Sequence, residues 1–67
     1  MGEIEKVEYC ATISYVTMAN EKGTEVTDCY ANRLLVDAEI DRIIDKLTFW
    51  GNRIYKICYR KEYTFTK

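Results

Sequence analysis

The stretch Asp37–Gly51, DAEIDRIIDKLTFWG, does most to limit what this chain can fold into, because its apolar residues repeat with an unambiguous helical period. Ile40, Ile43, Ile44, Leu47 and Trp50 fall at i, i+3, i+4, i+7 and i+10. At 100° per residue that confines them to a stripe roughly 120° wide, which has to face a core. Asp37 is the expected N-cap, its carboxylate accepting from the free amides of the first turn, with Glu39 and Asp41 adding negative charge at the positive end of the macrodipole. Gly51 supplies the left-handed position that closes the helix. Burying each large apolar residue stabilises by roughly 1.5–3 kcal/mol. A chain of 67 residues buries only about 60% of the surface its unfolded form exposes, so it depends on that helix.

The flanking segments read as strands. Residues 4–19, IEKVEYCATISYVTMA, are rich in β-branched and aromatic residues, with Val7, Tyr9, Ala11, Ile13, Tyr15 and Thr17 on one face. In Asn20-Glu21-Lys22-Gly23, Asn20 opens a type I turn and Gly23 takes the left-handed position of a bulge. A return strand over residues 24–36, paired from Asn20 and Thr24 outward, puts Tyr15 opposite Cys29, Ile13 opposite Ala31 and Tyr9 opposite Leu35. A bulge near Asp28 or Arg33 would flip part of it. After the helix, residues 53–67 alternate: Tyr55, Ile57, Tyr59, Lys61, Tyr63 and Phe65 share one face, and Lys56, Cys58, Arg60 and Glu62 share the other. The helix carries the chain back along the second strand, so the third runs antiparallel to the first. The expectation is one α+β domain over residues 1–67, a three-stranded antiparallel sheet of order 2-1-3 with a single helix on one face.

Charge and cysteine usage narrow the function classes. The net charge is −1. Residues 1–31 carry six acids against two bases and residues 32–67 five against eight, an asymmetry that adjacent strands interleave. No apolar run is long enough to span a membrane, and Glu3, Glu5 and Lys6 lack the apolar block of a secretory signal, so a soluble cytoplasmic protein is expected. Cys10, Cys29 and Cys58 form no closely spaced pair and there is no histidine, which points to reduced, packed thiols and to no metal or other cofactor. No nucleophile with a neighbouring base and no phosphate-binding loop is present, so no catalytic residues are assigned and a non-enzymatic protein is expected. Asp37, Asp41 and Asp45 lie at i, i+4 and i+8, but as a solvated ladder balanced by Arg42 and Lys46 they do not amount to a cation site.

What remains is recognition. The helix-free face carries Val16, Met18, Val26 and Tyr30, more apolar than a solvated face needs, and Phe49 points away from the helical stripe. These five are the expected partner-binding residues, on a chain expected to form a homodimer through that face. Its type, small, acidic overall and Tyr-rich, points to a bacterial or phage-encoded inhibitor or adaptor that binds a host protein through the helix-free face or an acidic hairpin, with Glu3, Glu5, Glu8, Glu21, Glu25 and Asp28 as the acidic surface. The alternative is a nucleic-acid-binding domain that uses Lys56, Arg60 and Lys61 beside the tyrosines of the last strand. Against it, the alternation of the strand puts Tyr55, Tyr59, Tyr63 and Phe65 under the helix, away from Lys56 and Arg60, and the negative net charge opposes a polyanion.

Overall fold

A computed structural model describes residues 2–66. The elements are β1 (Ile4–Val16), β2 (Lys22–Val26), α1 (Arg33–Phe49) and β3 (Arg53–Phe65). The strands form one antiparallel sheet in the order β2-β1-β3, with α1 on one face, the α+β arrangement expected from the sequence. Lys67, counted above with the last strand, lies outside the described residues.

The hairpin closes three residues earlier than expected. Thr17 O accepts from Asn20 N–H at 2.9 Å and Thr17 N–H donates to Glu21 O at 2.8 Å, while Asn20 takes the left-handed conformation (φ 65°). Asparagine tolerates that region, so Asn20 ends the turn that it was expected to begin. The register moves with it. Tyr15 pairs with Gly23, Ile13 with Glu25 and Thr12 with Val26. Gly23 is therefore a strand residue, and a Cβ there would lie 2.6 Å from the tip of the Tyr15 ring, which would have to swing aside.

The return strand is also shorter than expected, ending at Val26. Thr27 N–H donates to Ala11 O at 2.9 Å, and its buried Oγ1 accepts from Ala11 N–H at 2.9 Å. Asp28 and Cys29 then stand opposite Cys10 before the ladder resumes as a Tyr9–Tyr30 bridge, with hydrogen bonds of 2.7 and 2.9 Å. Two residues against one make a bulge at the first of the two places the sequence suggested. It turns Tyr30 to the helix side, where it packs on the core.

α1 starts four residues before Asp37. Asn32 is the N-cap, its Oδ1 accepting from Leu34 N–H at 2.9 Å. Residues 33–36 read as strand because Leu34, Leu35 and Val36 are apolar, yet only Val36 is buried, one turn before Ile40. Leu34 is 72% exposed. Glu39 thus leaves the helix terminus and holds the preceding segment: its Oε2 accepts from Asp28 N–H at 2.9 Å and its Oε1 from Tyr30 OH at 3.2 Å. The other end closes where the sequence placed it. Gly51 (φ 82°) donates to Thr48 O, and Asn52 N–H to Leu47 O, both at 3.0 Å, the paired bonds of a Schellman motif. Trp50 caps the helix and is 70% exposed, so it does not extend the stripe.

Ala11, Ile13, Val36, Ile40 and Leu47 form the buried core, flanked by Tyr9, Tyr15, Tyr30, Ile43, Ile44 and Ile54. β3 contributes through a second bulge. Ile54 pairs with Tyr15 and Lys56 with Ser14, leaving Tyr55 unpaired and 56% exposed. Lengths set the rest of the shape. Strands of 13 residues span about 43 Å and a helix of 17 residues about 25 Å, so the helix covers only part of the β1–β3 ribbon. The molecule measures 48 × 20 × 12 Å.

Candidate functional site

Beyond the start of α1, the paired ends of β1 and β3 continue without a covering layer. The register sets Ile4 opposite Phe65, Val7 opposite Tyr63, Tyr9 opposite Lys61 and Ala11 opposite Tyr59, all on the helix side of the sheet. The aromatics expected under the helix are largely in solvent: Tyr59 is 49% exposed, Tyr63 47% and Phe65 57%, with Ile4 at 54%. The correction follows from length, since α1 ends its reach near Tyr59. Tyr63 and Phe65 stack at 6.3 Å between ring centroids with planes 24° apart.

Cations sit among these rings. Lys61 Nζ lies 5.7 Å from the Tyr9 centroid and 5.5 Å from that of Tyr63, and Arg33 Cζ lies 4.3 Å over Tyr59. Tyr59 OH donates to Asp37 Oδ1 at 2.7 Å, so Asp37 positions an aromatic ring where the sequence suggested a cap. That hydrogen bond, followed by partial desolvation, raises the Tyr59 pKa above its ordinary value. An open groove of about 620 Å³ runs along this region between Tyr9, Asn32, Arg33, Tyr59 and Lys61.

The four residues expected together on the helix-free face are not all found there, and Phe49, the separate candidate, stands at the end of α1. Val16 is half-buried, and Val26, on the helix-free face, is 55% exposed. Met18 is in the hairpin loop, so close to Gly51 that a Cβ there would meet its Sδ at 2.7 Å. Phe49 is 80% exposed at the end of α1, edge-on to Trp50 at 5.4 Å. Tyr30 lies on the opposite side of the sheet from Val26. The helix-free face is mostly polar, with Lys6 paired to Glu8 at 3.5 Å and Arg60 to Glu62 at 2.9 Å. In the acidic hairpin, Glu25 is engaged by Lys46 at 3.5 Å. Of the alternative nucleic-acid residues, Lys56 and Arg60 belong to the helix-free face, while Lys61 belongs to the aromatic ribbon.

Two cysteines far apart in sequence meet on the helix-free face. The bulge sets Cys29, half-buried, against fully buried Cys10, and their Sγ atoms and a Glu62 carboxylate oxygen all lie within 4.8 Å of one another. Arg60 spans the cluster, Nη2 donating to Cys10 Sγ at 3.3 Å and Nε to Glu62 Oε1 at 2.9 Å. The hydrogen bond to Cys10, followed by partial desolvation, pushes the Cys29 pKa from 9.0 to about 11. Arg60 is itself raised, first through its hydrogen bond to Cys10. Two thiols and a carboxylate offer soft and hard donors to a metal ion, but a guanidinium already touching two of the three opposes a cation there. Cys58 is a separate, exposed free thiol. Sequence spacing hid the pair. Once Thr17 is known to face Glu21, counting back along the hairpin brings Cys10 opposite residues 28 and 29.

No family model, curated protein or solved structure matches this chain. Its function therefore has to rest on the chemistry of its own surface.

Proposed function

We propose that the chain is a small non-enzymatic protein-binding module, and that it takes its partner on the uncovered aromatic face of the β1–β3 ribbon. The observation that carries this reading is the exposure of Ile4, Tyr59, Tyr63 and Phe65 along one side of the ribbon, on a fold whose core is complete without them. Exposed apolar patches of several hundred Å² in small proteins generally mark contacts, and tyrosine is favoured there because it brings large area with a polar tip. A host protein is the expected partner, and the inhibitor or adaptor role belongs to the same proposal. A second copy is the other occupant this face suits: a two-fold dimer sets the patch against itself.

Nucleic acid is the second reading, and one arrangement favours it. Lys61 between Tyr9 and Tyr63, with Arg33 over Tyr59, combines stacking rings and cations as single-strand binders do. Against it stand the net charge of −1 and the placement of Lys56 and Arg60 on the other face.

Capture from a nuclease-treated extract of the native host, with the wild type beside a Tyr63→Thr/Phe65→Thr chain, decides between these. The protein-binding reading expects specific proteins on the wild type and at least tenfold less on the variant. Capture abolished by nuclease, together with tight single-strand binding at about 150 mM salt that Lys61→Glu removes, would replace it with the nucleic-acid reading. Sedimentation of both chains separates a second copy from a foreign partner.

A further inference from the structure

We propose that Cys10 and Cys29 are a reversible dithiol–disulfide pair, oxidised by small-molecule disulfides of the glutathione class and positioned for that exchange by Arg60. The three groups come from distant parts of the chain and converge on the helix-free face; Arg60 also borders the groove beside the aromatic ribbon, but neither cysteine does, so the thiol pair does not rest on the binding reading.

Three observations support it. The backbone bonds Thr27–Ala11 and Tyr30–Tyr9 flank the bulge and hold Cys29 across from Cys10, so the two side chains meet on one face of the sheet. Their sulfurs already lie within 4.8 Å, so bonding needs side-chain rotation and no change of register. The two thiols differ in access: Cys29 is half-buried and within reach of a small oxidant, whereas Cys10 is fully buried and reacts through Cys29.

Arg60 fixes where the buried partner sits. Its guanidinium donates to Cys10 Sγ at 3.3 Å while the Cys10 thiol faces Glu62 Oε1 at 3.7 Å, so the sulfur is held in place between a cation and a carboxylate, beside Cys29. Glu62 holds the guanidinium there through Nε at 2.9 Å. Cys58 is exposed and lies outside this cluster.

The exchange balances in two displacements. Cys29 Sγ, ionised in only a small fraction of chains at pH 8 because its pKa is raised to about 11, loses its proton to water and attacks one sulfur of the small disulfide, which makes this first step the slow one. The S–S bond breaks, and the departing small thiolate takes up a proton. Cys10 Sγ then loses its proton and attacks Cys29 Sγ, expelling the second small thiolate, which is protonated in turn. Two protein thiols become one disulfide, and one small disulfide becomes two small thiols.

Closing the bond ties the bulge, and with it the connection from β2 to α1, to the central strand. The unfolded chain loses the freedom of the loop between the two cysteines, so the oxidised protein should melt roughly 10–20 °C higher than the reduced one.

The test uses the full chain carrying Cys58→Ser, equilibrated at pH 8 with mixtures of reduced and oxidised glutathione, then quenched with an alkylating reagent and weighed. The expected result is a monomer lighter by two hydrogens with neither thiol alkylated, at ratios where the same chain carrying Cys10→Ser as well shows only free thiol or a glutathione adduct. Arg60→Gln should slow closure several-fold while leaving the melting temperature of the reduced chain nearly unchanged. A Cys58→Ser chain that keeps two alkylatable thiols, stops at the glutathione adduct or links only between molecules would overturn the proposal. So would closure that Arg60→Gln leaves at the wild-type rate, as far as Arg60's role is concerned.

Discussion

Ile40, Thr27 and Gly51 each hold the fold by a different kind of force, and substitutions separate them. Ile40 is 4% exposed in the middle of the core, so Ile40→Ala should cost about 2–5 kcal/mol in chemical denaturation, whereas Asp41→Ala on the outer face should change stability by less than about 0.5 kcal/mol. Equal losses would show the helix to be turned about its axis. Thr27 is the buried polar residue whose hydroxyl satisfies Ala11 N–H. Thr27→Val keeps the shape and removes the acceptor, leaving a buried amide unpaired at about 1–3 kcal/mol, and Thr27→Ser should restore most of it. Gly51→Ala forces a side chain into a left-handed backbone at about 1–2 kcal/mol, and its Cβ would also press on Met18. Of these three, the sequence declares Ile40 through its period and Gly51 through its place after the last apolar turn. Thr27 gave no signal, because its role exists only once two strands are brought together.

At the scale of elements, the helix and strands were legible in kind, and their joints were not. The alternation of β1 and β3 and the 3.6-residue period of α1 record which faces are buried, and the 2-1-3 order followed from the direction in which the helix returns the chain. The turn was misplaced because Asn20 and Gly23 are both competent at the left-handed position, and local chemistry does not rank them. The helix start was misplaced because Leu34-Leu35-Val36 suits either structure, and the choice was made by the Tyr9–Tyr30 bridge and the Asn32 cap. Those joints have a titratable signature. Cys29 is raised from 9.0 to about 11; Tyr30, desolvated and bonded to Glu39, and Tyr59, bonded to Asp37, are raised above 10.0. A raised pKa on an acidic group means that the folded chain holds the proton more tightly than the unfolded chain. The stability this supplies is complete below about pH 9 and is lost as pH climbs through the folded values. The melting temperature should therefore fall between pH 8 and pH 11, and Tyr30→Phe should lessen the fall. A flat profile would mean that these hydroxyls are not engaged as described.

On the scale of the whole molecule, the decisive fact is a mismatch of lengths. A helix of 17 residues lies on strands of 13, and the difference in their reach leaves aromatic residues uncovered at one end of a body 48 Å long. The sequence does show these residues as one face of a strand, but placing them in the core assumed that the helix covers every residue on its side. The rise per residue, about 1.5 Å in a helix against 3.3 Å in a strand, contradicts that assumption. The aromatic face is therefore exposed to solvent, and the proposed binding role requires that it be surplus to folding. Thermal unfolding of Tyr63→Thr/Phe65→Thr beside Ile40→Ala puts this to the test, because threonine keeps the strand propensity while deleting the rings. The double variant should stay within about 1 kcal/mol of wild type, a shift of roughly 4–8 °C at most, and Ile40→Ala should fall well below it. Equal losses in the two chains would make the aromatic face part of the core and leave no surface there for a partner.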